Sequence, residues 1–259
     1  MEAVTSPRQG IKGAVVFDLM GTCTDWKSSI VASLKQQPAT NVDLPSLAAA
    51  WRSVFFQEIH RRFEQGGPTE DIDITHRRVL DALLDEAGIT FATWGEDVRE
   101  NLVKSWHNQT AWPDSIRGIN LLRQDYFVHL NEINLCSVVL ANGTTRLQMD
   151  IVKSTGLPFH SLFSSQLLGL TKPDPRIYLK AVELLDLHPS DCIMVAAHAY
   201  DLRAAAKIGM KSVYVHRKTE DLDEDMDRVR TEFDAFVDGT TDSLAGGIAS
   251  VAALLKKGI

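Results

Sequence analysis

Short apolar runs that end abruptly in polar residues recur along the chain. Four of them cover residues 14–17, 137–140, 192–196 and 212–215, and residues 236–237 form a weaker fifth. Continuous runs rich in β-branched residues, without alternation, are typical of strands that are buried on both faces of a parallel sheet. The pattern therefore predicts a parallel sheet built from these runs.

Helical patterns lie between the apolar runs. They cover residues 145–156, 174–184, 201–209 and 244–255. Asp174 followed by Pro175 is typical of a helix start, because the aspartate caps free N–H groups and the proline has none to satisfy. Strands that alternate with helices predict a doubly wound, Rossmann-like α/β fold, in which sites lie beyond the carboxyl ends of the strands.

Residues 26–112 break this alternation. They show helical patterns at 47–59, 75–87 and 96–106 and no convincing strand. We interpret this segment as a helical cap domain, inserted after the first strand. The core domain then comprises residues 1–25 and 113–259.

Composition and charge narrow the classes of function. Of 259 residues, 44% are hydrophobic and 24% are charged, which is enough to build a core without disulfides or metals. The net charge of −7 argues against a general nucleic-acid face and against an anionic membrane surface. No apolar run approaches the roughly 18 residues of a membrane span, and residues 1–13 lack the apolar centre of a signal peptide. Three cysteines without CxxC spacing indicate reduced thiols, so we expect a cytoplasmic protein.

Local runs of charge are interpreted as solvated surface. They comprise the basic clusters His60-Arg61-Arg62 and His76-Arg77-Arg78, and the acidic stretch 219–227. Short runs of this kind are usually exposed helix faces or loops.

Polar motifs follow the predicted strands at their carboxyl ends. Asp18 closes the first strand and precedes Leu19-Met20-Gly21-Thr22. Taken alone, Asp18 is an ordinary turn aspartate. The sequence also carries Asn142-Gly143, Lys172-Pro173-Asp174-Pro175 and His198-Ala199-Tyr200-Asp201. Parallel strands bring such motifs to one edge of the sheet.

These four motifs, in this order, resemble the haloacid dehalogenase superfamily, and the resemblance covers nearly the whole chain. The segments FDLMGT, LANG, TKPDPRIY and AAHAYD are similar to the type II (S)-2-haloacid dehalogenase branch in particular. The resemblance implies an α/β core with an inserted cap, no metal or other cofactor, and a homodimer.

The resemblance implies catalytic roles for several residues. Asp18 matches the nucleophile that attacks carbon and forms an ester, which water then hydrolyses. Lys172 matches the lysine that orients this carboxylate, and Thr22 matches the hydroxyl donor of the nucleophile loop, which is the segment FDLMGT at residues 17–22. Asp201 matches the aspartate that orients the lysine or the water, although a helix N-cap is an equally physical interpretation.

Other residues match the substrate site. Arg52, after Trp51, resembles the arginine that receives the substrate carboxylate and the departing halide, a task suited to a permanently charged guanidinium. Asn142 resembles a residue that binds substrate and halide, and Tyr178 would hydrogen-bond neighbours of the nucleophile. The structural alternatives are a solvated helix arginine, a turn asparagine and a core tyrosine.

The chain departs from the branch at several positions. Ala141 and the pair Ala196-Ala197 stand in place of hydroxyl residues, and His198, Met20, Ser53 and Tyr200 replace asparagine, tyrosine, glutamine and tryptophan, respectively. These changes remove hydrogen-bond donors and reshape the site, so Met20 and Tyr200 join the candidate substrate contacts. His198 is a candidate to activate water, because imidazole is the usual base near neutral pH.

The resemblance therefore implies a hydrolase that displaces halide from a short 2-halo carboxylic acid and yields the 2-hydroxy acid with inversion. A repurposed member, acting on or binding another carboxylated or natural-product metabolite, is the alternative. A Mg²⁺-dependent phosphatase of the same superfamily fits less well, because Met20 and Ala197 occupy positions at which such enzymes carry acidic residues.

Overall fold

A computed structural model of the protein describes residues 11–67, 70–128 and 135–255. The N-terminal residues 1–10, where no signal peptide is expected, lie outside this part of the chain. The strands are β1 (Gly13–Phe17), β2 (Thr24–Asp25), β3 (Thr110–Ala111), β4 (Leu135–Ala141), β5 (Ser161–Ser164), β6 (Cys192–Ala196), β7 (Lys211–His216) and β8 (Ala235–Asp238). The helices are α1 (Trp26–Lys35), α2 (Leu44–Glu64), α3 (Ile72–Glu86), α4 (Glu96–Ser105), α5 (Ser115–Val128), α6 (Thr145–Thr155), α7 (Ser165–Leu168), α8 (Pro175–Leu184), α9 (Ala199–Lys207), α10 (Met226–Glu232) and α11 (Gly247–Leu255).

The described residues form a parallel six-stranded sheet in the order β5-β4-β1-β6-β7-β8. All five predicted runs are strands of this sheet, so the predicted doubly wound α/β fold is confirmed. Because β1 lies between β4 and β6, the strand order reverses at β1. In sheets of this kind a crevice opens at that point, beyond the carboxyl ends of the strands.

Both faces of the sheet are covered by helices, which explains the unbroken apolar runs. Val15 and Phe17 of β1 pack on one side into the cluster that contains residues of α5, α6 and α11. Ala14 and Val16 face the other side and pack with residues of α8 and α9. A strand with both faces buried needs no polar alternation.

Helices α1 to α4 form a helical insertion with its own hydrophobic core. Tryptophans dominate this core: the ring centroids of Trp26 and Trp106 lie 5.7 Å apart, and those of Trp51 and Trp106 lie 5.3 Å apart. The short ribbon β2–β3 joins the two ends of the insertion, with Thr24 paired to Ala111. The sequence predicts no strand at residues 110–111, because two residues are too few to show a period.

The expectation of solvated charge runs is wrong at one basic cluster. His76 is fully buried, and its ring stacks on Phe55 at 3.8 Å and on Trp106 at 4.4 Å between centroids. Burial holds the pKa of His76 well below its ordinary value. Its neighbour Arg77 is on the outer face of α3 and pairs with Asp81. No helix among the described residues is long and apolar enough to span a membrane.

Candidate active site

Three neighbouring strand ends bring the predicted motifs together. Asp18 follows β1, Asn142 follows β4, and His198 is two residues beyond β6. In the sheet, Phe17 pairs with Val139 on one side and with Val195 on the other. The side chains that follow these three strands therefore converge at the crevice beside β1.

The Asp18 carboxylate is surrounded by donors. It is 6% exposed. Lys172 Nζ donates to Oδ1 at 2.9 Å, and Thr22 Oγ1 donates to Oδ2 at 2.7 Å. His198 Nδ1 lies 3.1 Å from Oδ2. The Ala197 amide donates to Thr22 Oγ1 at 2.9 Å, which directs the hydroxyl hydrogen of Thr22 toward Asp18.

The charges around Asp18 decide its protonation. Burial opposes ionisation, but Lys172 and His198 outweigh it and hold the pKa of Asp18 far below its ordinary value. Burial likewise disfavours the Lys172 ammonium, yet the negative charges of Asp18 and Asp201 hold the pKa of Lys172 above its ordinary value. Asp18 is therefore an ionised carboxylate at neutral pH, as a nucleophile must be.

Asp201 lies behind Lys172, and the N-cap interpretation is wrong. Helix α9 begins at Ala199 with His198 as its N-cap residue, so Asp201 falls in the first helical turn. One Asp201 oxygen accepts from Lys172 Nζ at 2.5 Å, and the other accepts from the Tyr178 hydroxyl. Tyr178 is fully buried and does not line the cavity described below. Its location therefore favours a role in positioning Asp201 over contact with a substrate.

A cavity of about 50 Å³ lies between Asp18 and the helical insertion. The predicted site residues that line it, besides Asp18, are Met20, Arg52, Asn142, Lys172, His198 and Tyr200. Ala141 also lines it, whereas Ser53 is exposed elsewhere on α2. A larger cavity of about 440 Å³ shares Ile59, Ile72 and Asn142 with it.

Arg52 is a buried cation that forms no ion pair with a described residue, although the charges of Glu220 and Asp18 attract it from a greater distance. Its guanidinium donates to Met20 Sδ at 3.0 Å and lies 4.1 Å from the ring centroid of Phe56. Among the described residues its Nε has no hydrogen-bond partner, and no carboxylate pairs with it within the part of the chain that the structure covers. Arg52 is 7% exposed, and burial lowers its pKa. An unpaired buried charge is costly, so this arrangement suits an anionic ligand.

Asn142 fixes the lysine loop. Its side-chain oxygen accepts from the Lys172 amide at 2.8 Å, and its amide group donates to the Lys172 carbonyl at 3.1 Å. This reciprocal pair positions Lys172 beside Asp18. Since Asn142 also lines the cavity, it can both hold Lys172 and face a ligand.

Several site residues escaped the sequence analysis. Phe55, Phe56, Ile59 and Ile72 line the cavity from the helical insertion; the first three share one face of α2 with Arg52, at helical spacing. Glu220 is 5% exposed, and its Oε2 lies 2.8 Å from His198 Nε2. The interpretation of residues 219–227 as solvated surface is therefore wrong at Glu220.

The donor set does not fit a divalent cation. Such ions require several oxygen ligands, and Met20 and Ala197 supply no side-chain oxygen. Within the described ranges, no group of three His, Cys, Asp or Glu side chains is placed to hold a metal ion.

Comparison with known proteins places the chain in a family. The model of the haloacid dehalogenase-like hydrolases matches residues 12–209. The chain belongs to this family of hydrolases. A curated family member, (S)-2-haloacid dehalogenase 1 of Pseudomonas sp. (strain CBS-3), is 25% identical over 206 residues, which cover 79% of this chain and 84% of the relative.

Solved structures of the family agree with this fold. The crystal structure of one L-2-haloacid dehalogenase superposes with a TM-score of 0.79 at 28% identity, covering 96% of this chain and all of that one. A second, described as a defluorinating L-2-haloacid dehalogenase, gives a TM-score of 0.78 at 29% identity and covers 95% of each chain. The likeness therefore extends over the helical insertion as well as the sheet.

Proposed function

We propose that this haloacid dehalogenase-like hydrolase is an (S)-2-haloacid dehalogenase. Asp18 displaces halide from C2 of a short 2-halo carboxylic acid and forms an ester, which water hydrolyses to the 2-hydroxy acid of inverted configuration. Similarity to relatives with this printed activity supports the proposal.

The single observation that carries the proposal is the buried Arg52 guanidinium, which forms no ion pair within the part of the chain that the structure describes. It lines the same small cavity as the ionised Asp18 carboxylate. An anionic group held by Arg52 would place a neighbouring carbon beside Asp18, and arginine binds carboxylates through two parallel hydrogen bonds. Asp18 itself is held by Lys172 and Thr22, so it needs no reorganisation before attack.

The size of the cavity supports a short substrate. A volume of about 50 Å³ is room for about two water molecules. The apolar side chains of Phe55, Phe56 and Ile72 form part of the wall of this cavity. We propose that residues 26–112 act as a cap domain over the core of residues 1–25 and 113–259. The larger cleft that shares Ile59, Ile72 and Asn142 with the site is the proposed entrance.

The other functions that the sequence leaves open receive less support. A phosphatase would need Mg²⁺, and the residues around Asp18 do not fit that ion. A repurposed enzyme or a binding protein remains compatible with Ala141 and the Ala196-Ala197 pair. The variant Asp18→Asn distinguishes a repurposed enzyme from a binding protein. A binding protein keeps its affinity for the ligand, whereas an ester-forming enzyme loses turnover.

We also propose a cytoplasmic location for the enzyme. The three cysteines are buried free thiols, which suits the reducing cytoplasm. The homodimer that the family resemblance implies stays a prediction, as does the absence of a nucleic-acid partner. A small carboxylate is the proposed partner of the site.

Halide release from (S)- and (R)-2-chloro and 2-bromo acids, in buffer with EDTA, tests the proposal. We expect release from the (S) acids, fastest for the three-carbon acids, and none from the (R) acids. Release that EDTA abolishes would contradict a metal-independent mechanism. No release from any acid would refute the proposed activity.

A further inference from the structure

His198 is clamped between two carboxylates. Its Nδ1 lies 3.1 Å from Asp18 Oδ2, and its Nε2 lies 2.8 Å from Glu220 Oε2. Asp18, His198 and Glu220 are 6%, 5% and 5% exposed, respectively. One nitrogen of the ring therefore points at the candidate nucleophile, and the other is held by a buried carboxylate.

Glu220 is itself held rigidly. The Trp26 indole N–H donates to its Oε1 at 2.5 Å, and the Thr219 hydroxyl donates to the same oxygen at 2.7 Å. Its carboxylate packs over Gly21, where a Cβ atom would lie 2.5 Å from Glu220 Oε2. The nucleophile loop thus leaves room for Glu220 because position 21 has no side chain. These contacts leave Oε2 free to fix the orientation of His198.

We propose that His198 is the general base for hydrolysis of the Asp18 ester, and that Glu220 is the positioning residue that orients and polarises its imidazole. The inference rests on the proposed function, because it assigns a residue to the second step of that reaction. His198 lines the cavity beside Asp18. The alternative base, Asp201, does not line it, and both of its oxygens accept hydrogen bonds from Lys172 and Tyr178.

The protons balance over the cycle. In the free enzyme, burial opposes protonation of His198, but Asp18 and Glu220 raise its pKa to about 10, so the ring is charged. Esterification removes the charge of Asp18, the pKa of His198 falls, and Nδ1 gives its proton to solvent. This is the one proton that the overall hydrolysis releases.

Water then attacks the carbonyl carbon of the ester as Nδ1 takes one of its protons. The tetrahedral intermediate expels the oxygen bound to C2, which receives the second proton of the water. Asp18 returns as a carboxylate, and His198 returns to its charged form. Glu220 keeps its hydrogen bond from Nε2–H throughout, as a carboxylate that orients a catalytic histidine does.

Other titratable groups surround the imidazole and shape its pH response. They are Asp18 after β1, Glu220 and Asp221 after β7, His60 of α2, and Tyr200 of α9. The two carboxylates in direct contact with the ring dominate this set. We therefore expect the hydrolysis step to depend on one ionisation, with the active form above the pKa of His198 in the ester.

Rapid-quench kinetics with (S)-2-chloropropionate tests the roles of His198 and Glu220, which we call the dyad, in the variants Glu220→Gln and His198→Asn. The matched control is Glu183→Gln, on the exposed side of α8. Loss of a general base lowers the rate of the catalysed step about 10²–10⁴-fold. In His198→Asn we expect one halide per site in a fast first turnover, followed by ester hydrolysis slowed about 100-fold or more. In Glu220→Gln we expect the same fast first turnover, and the rate of ester hydrolysis falls less than in His198→Asn. The control behaves like the wild type.

Two readouts separate this role from a structural one. The ester is expected to accumulate on Asp18 and to be visible in the mass of the intact variant protein. The pH dependence of hydrolysis is expected to disappear in His198→Asn. Equal slowing of halide release and hydrolysis, or no ester in either variant, would overturn the dyad while the wild type still releases halide. A wild-type protein that releases no halide overturns the proposed function and this inference together.

Discussion

The indole N–H of Trp26 donates a 2.5 Å hydrogen bond to Glu220 Oε1. Trp26 is the first residue of the helical insertion, and Glu220 lies in the loop after β7 of the sheet. The other oxygen of Glu220 contacts His198. The helical insertion therefore covers the cavity and also fixes a carboxylate behind the candidate base.

Trp26→Phe tests this connection. The phenyl ring preserves part of the packing with Trp106 but removes the donor to Glu220. A hydrogen bond to a charged group contributes about 1.5–3 kcal/mol, so we expect ester hydrolysis to slow about 10-fold and first-turnover halide release to change less. Single-turnover kinetics measures both steps. Equal rates in variant and wild type would show that Glu220 needs no support from Trp26.

Arg52→Met removes the proposed anion site. Loss of a charged hydrogen-bond donor predicts a fall in kcat/KM of about 10- to 100-fold and weaker inhibition by propionate. The melting temperature is expected to stay level or rise, because an apolar side chain replaces a buried cation that forms no ion pair with a described residue. Arg146→Met, on the exposed surface of α6, is the control. An unchanged kcat/KM would contradict the role of Arg52.

Much of the catalytic cluster could be predicted because it depends on local signals. Apolar runs define the strands, and residues placed directly after β1, β4 and β6 must meet once those strands are neighbours. The strand pattern predicts that Asp18 and Asn142 lie at this edge of the sheet. The roles of these two residues, and those of Lys172 and Thr22, are implied by the family resemblance.

The remaining features depend on tertiary contacts that leave no local signal. Glu220 sits in an acidic stretch, and its burial arises from Trp26 and His198, which are distant in sequence. His76 lies in a basic cluster yet faces the aromatic core of the helical insertion. The edge strand β5 has four residues, too few for a clear pattern.

His107 makes a pH-dependent bridge between the helical insertion and the core. Its ring nitrogens lie 3.1 Å from Asp73 of α3 and 3.0 Å from Asp150 of α6. These carboxylates raise the pKa of His107. A raised pKa in the folded state stabilises the protein below the unfolded value, near 6.5, and this stabilisation is lost as pH rises through the folded value.

His107→Asn is therefore expected to lower the melting temperature by about 2–4 °C at pH 6, for a contribution near 1 kcal/mol. The difference from the wild type should shrink as pH rises. Melting curves between pH 5.5 and 9 measure it, with the exposed His188→Asn as control. A difference that grows with pH would contradict the assigned bridge.

Arg217 and Asp114 form a buried ion pair that supports the nucleophile loop. Two hydrogen bonds of 2.7 and 2.8 Å join them, and Arg217 Nε donates to the Thr22 carbonyl at 3.1 Å. Asp114→Asn leaves the Arg217 charge buried without compensation, and we expect a loss of about 3–5 kcal/mol in the free energy of unfolding. Adding Arg217→Met to Asp114→Asn should recover part of the lost free energy of unfolding. Urea unfolding of the single and double variants measures these losses. Strictly additive losses would contradict an interaction between Arg217 and Asp114.

Single-turnover hydrolysis of (S)-2-chloropropionate in H₂¹⁸O tests the central claim that Asp18 forms an ester. Attack of water on that ester puts the first ¹⁸O atom into the Asp18 carboxylate, and the lactate formed in the first turnover carries none. We predict ¹⁸O in the peptide that contains Asp18, as measured by mass spectrometry. Label in the lactate of the first turnover, with none in the protein, would show direct displacement by water and contradict the account.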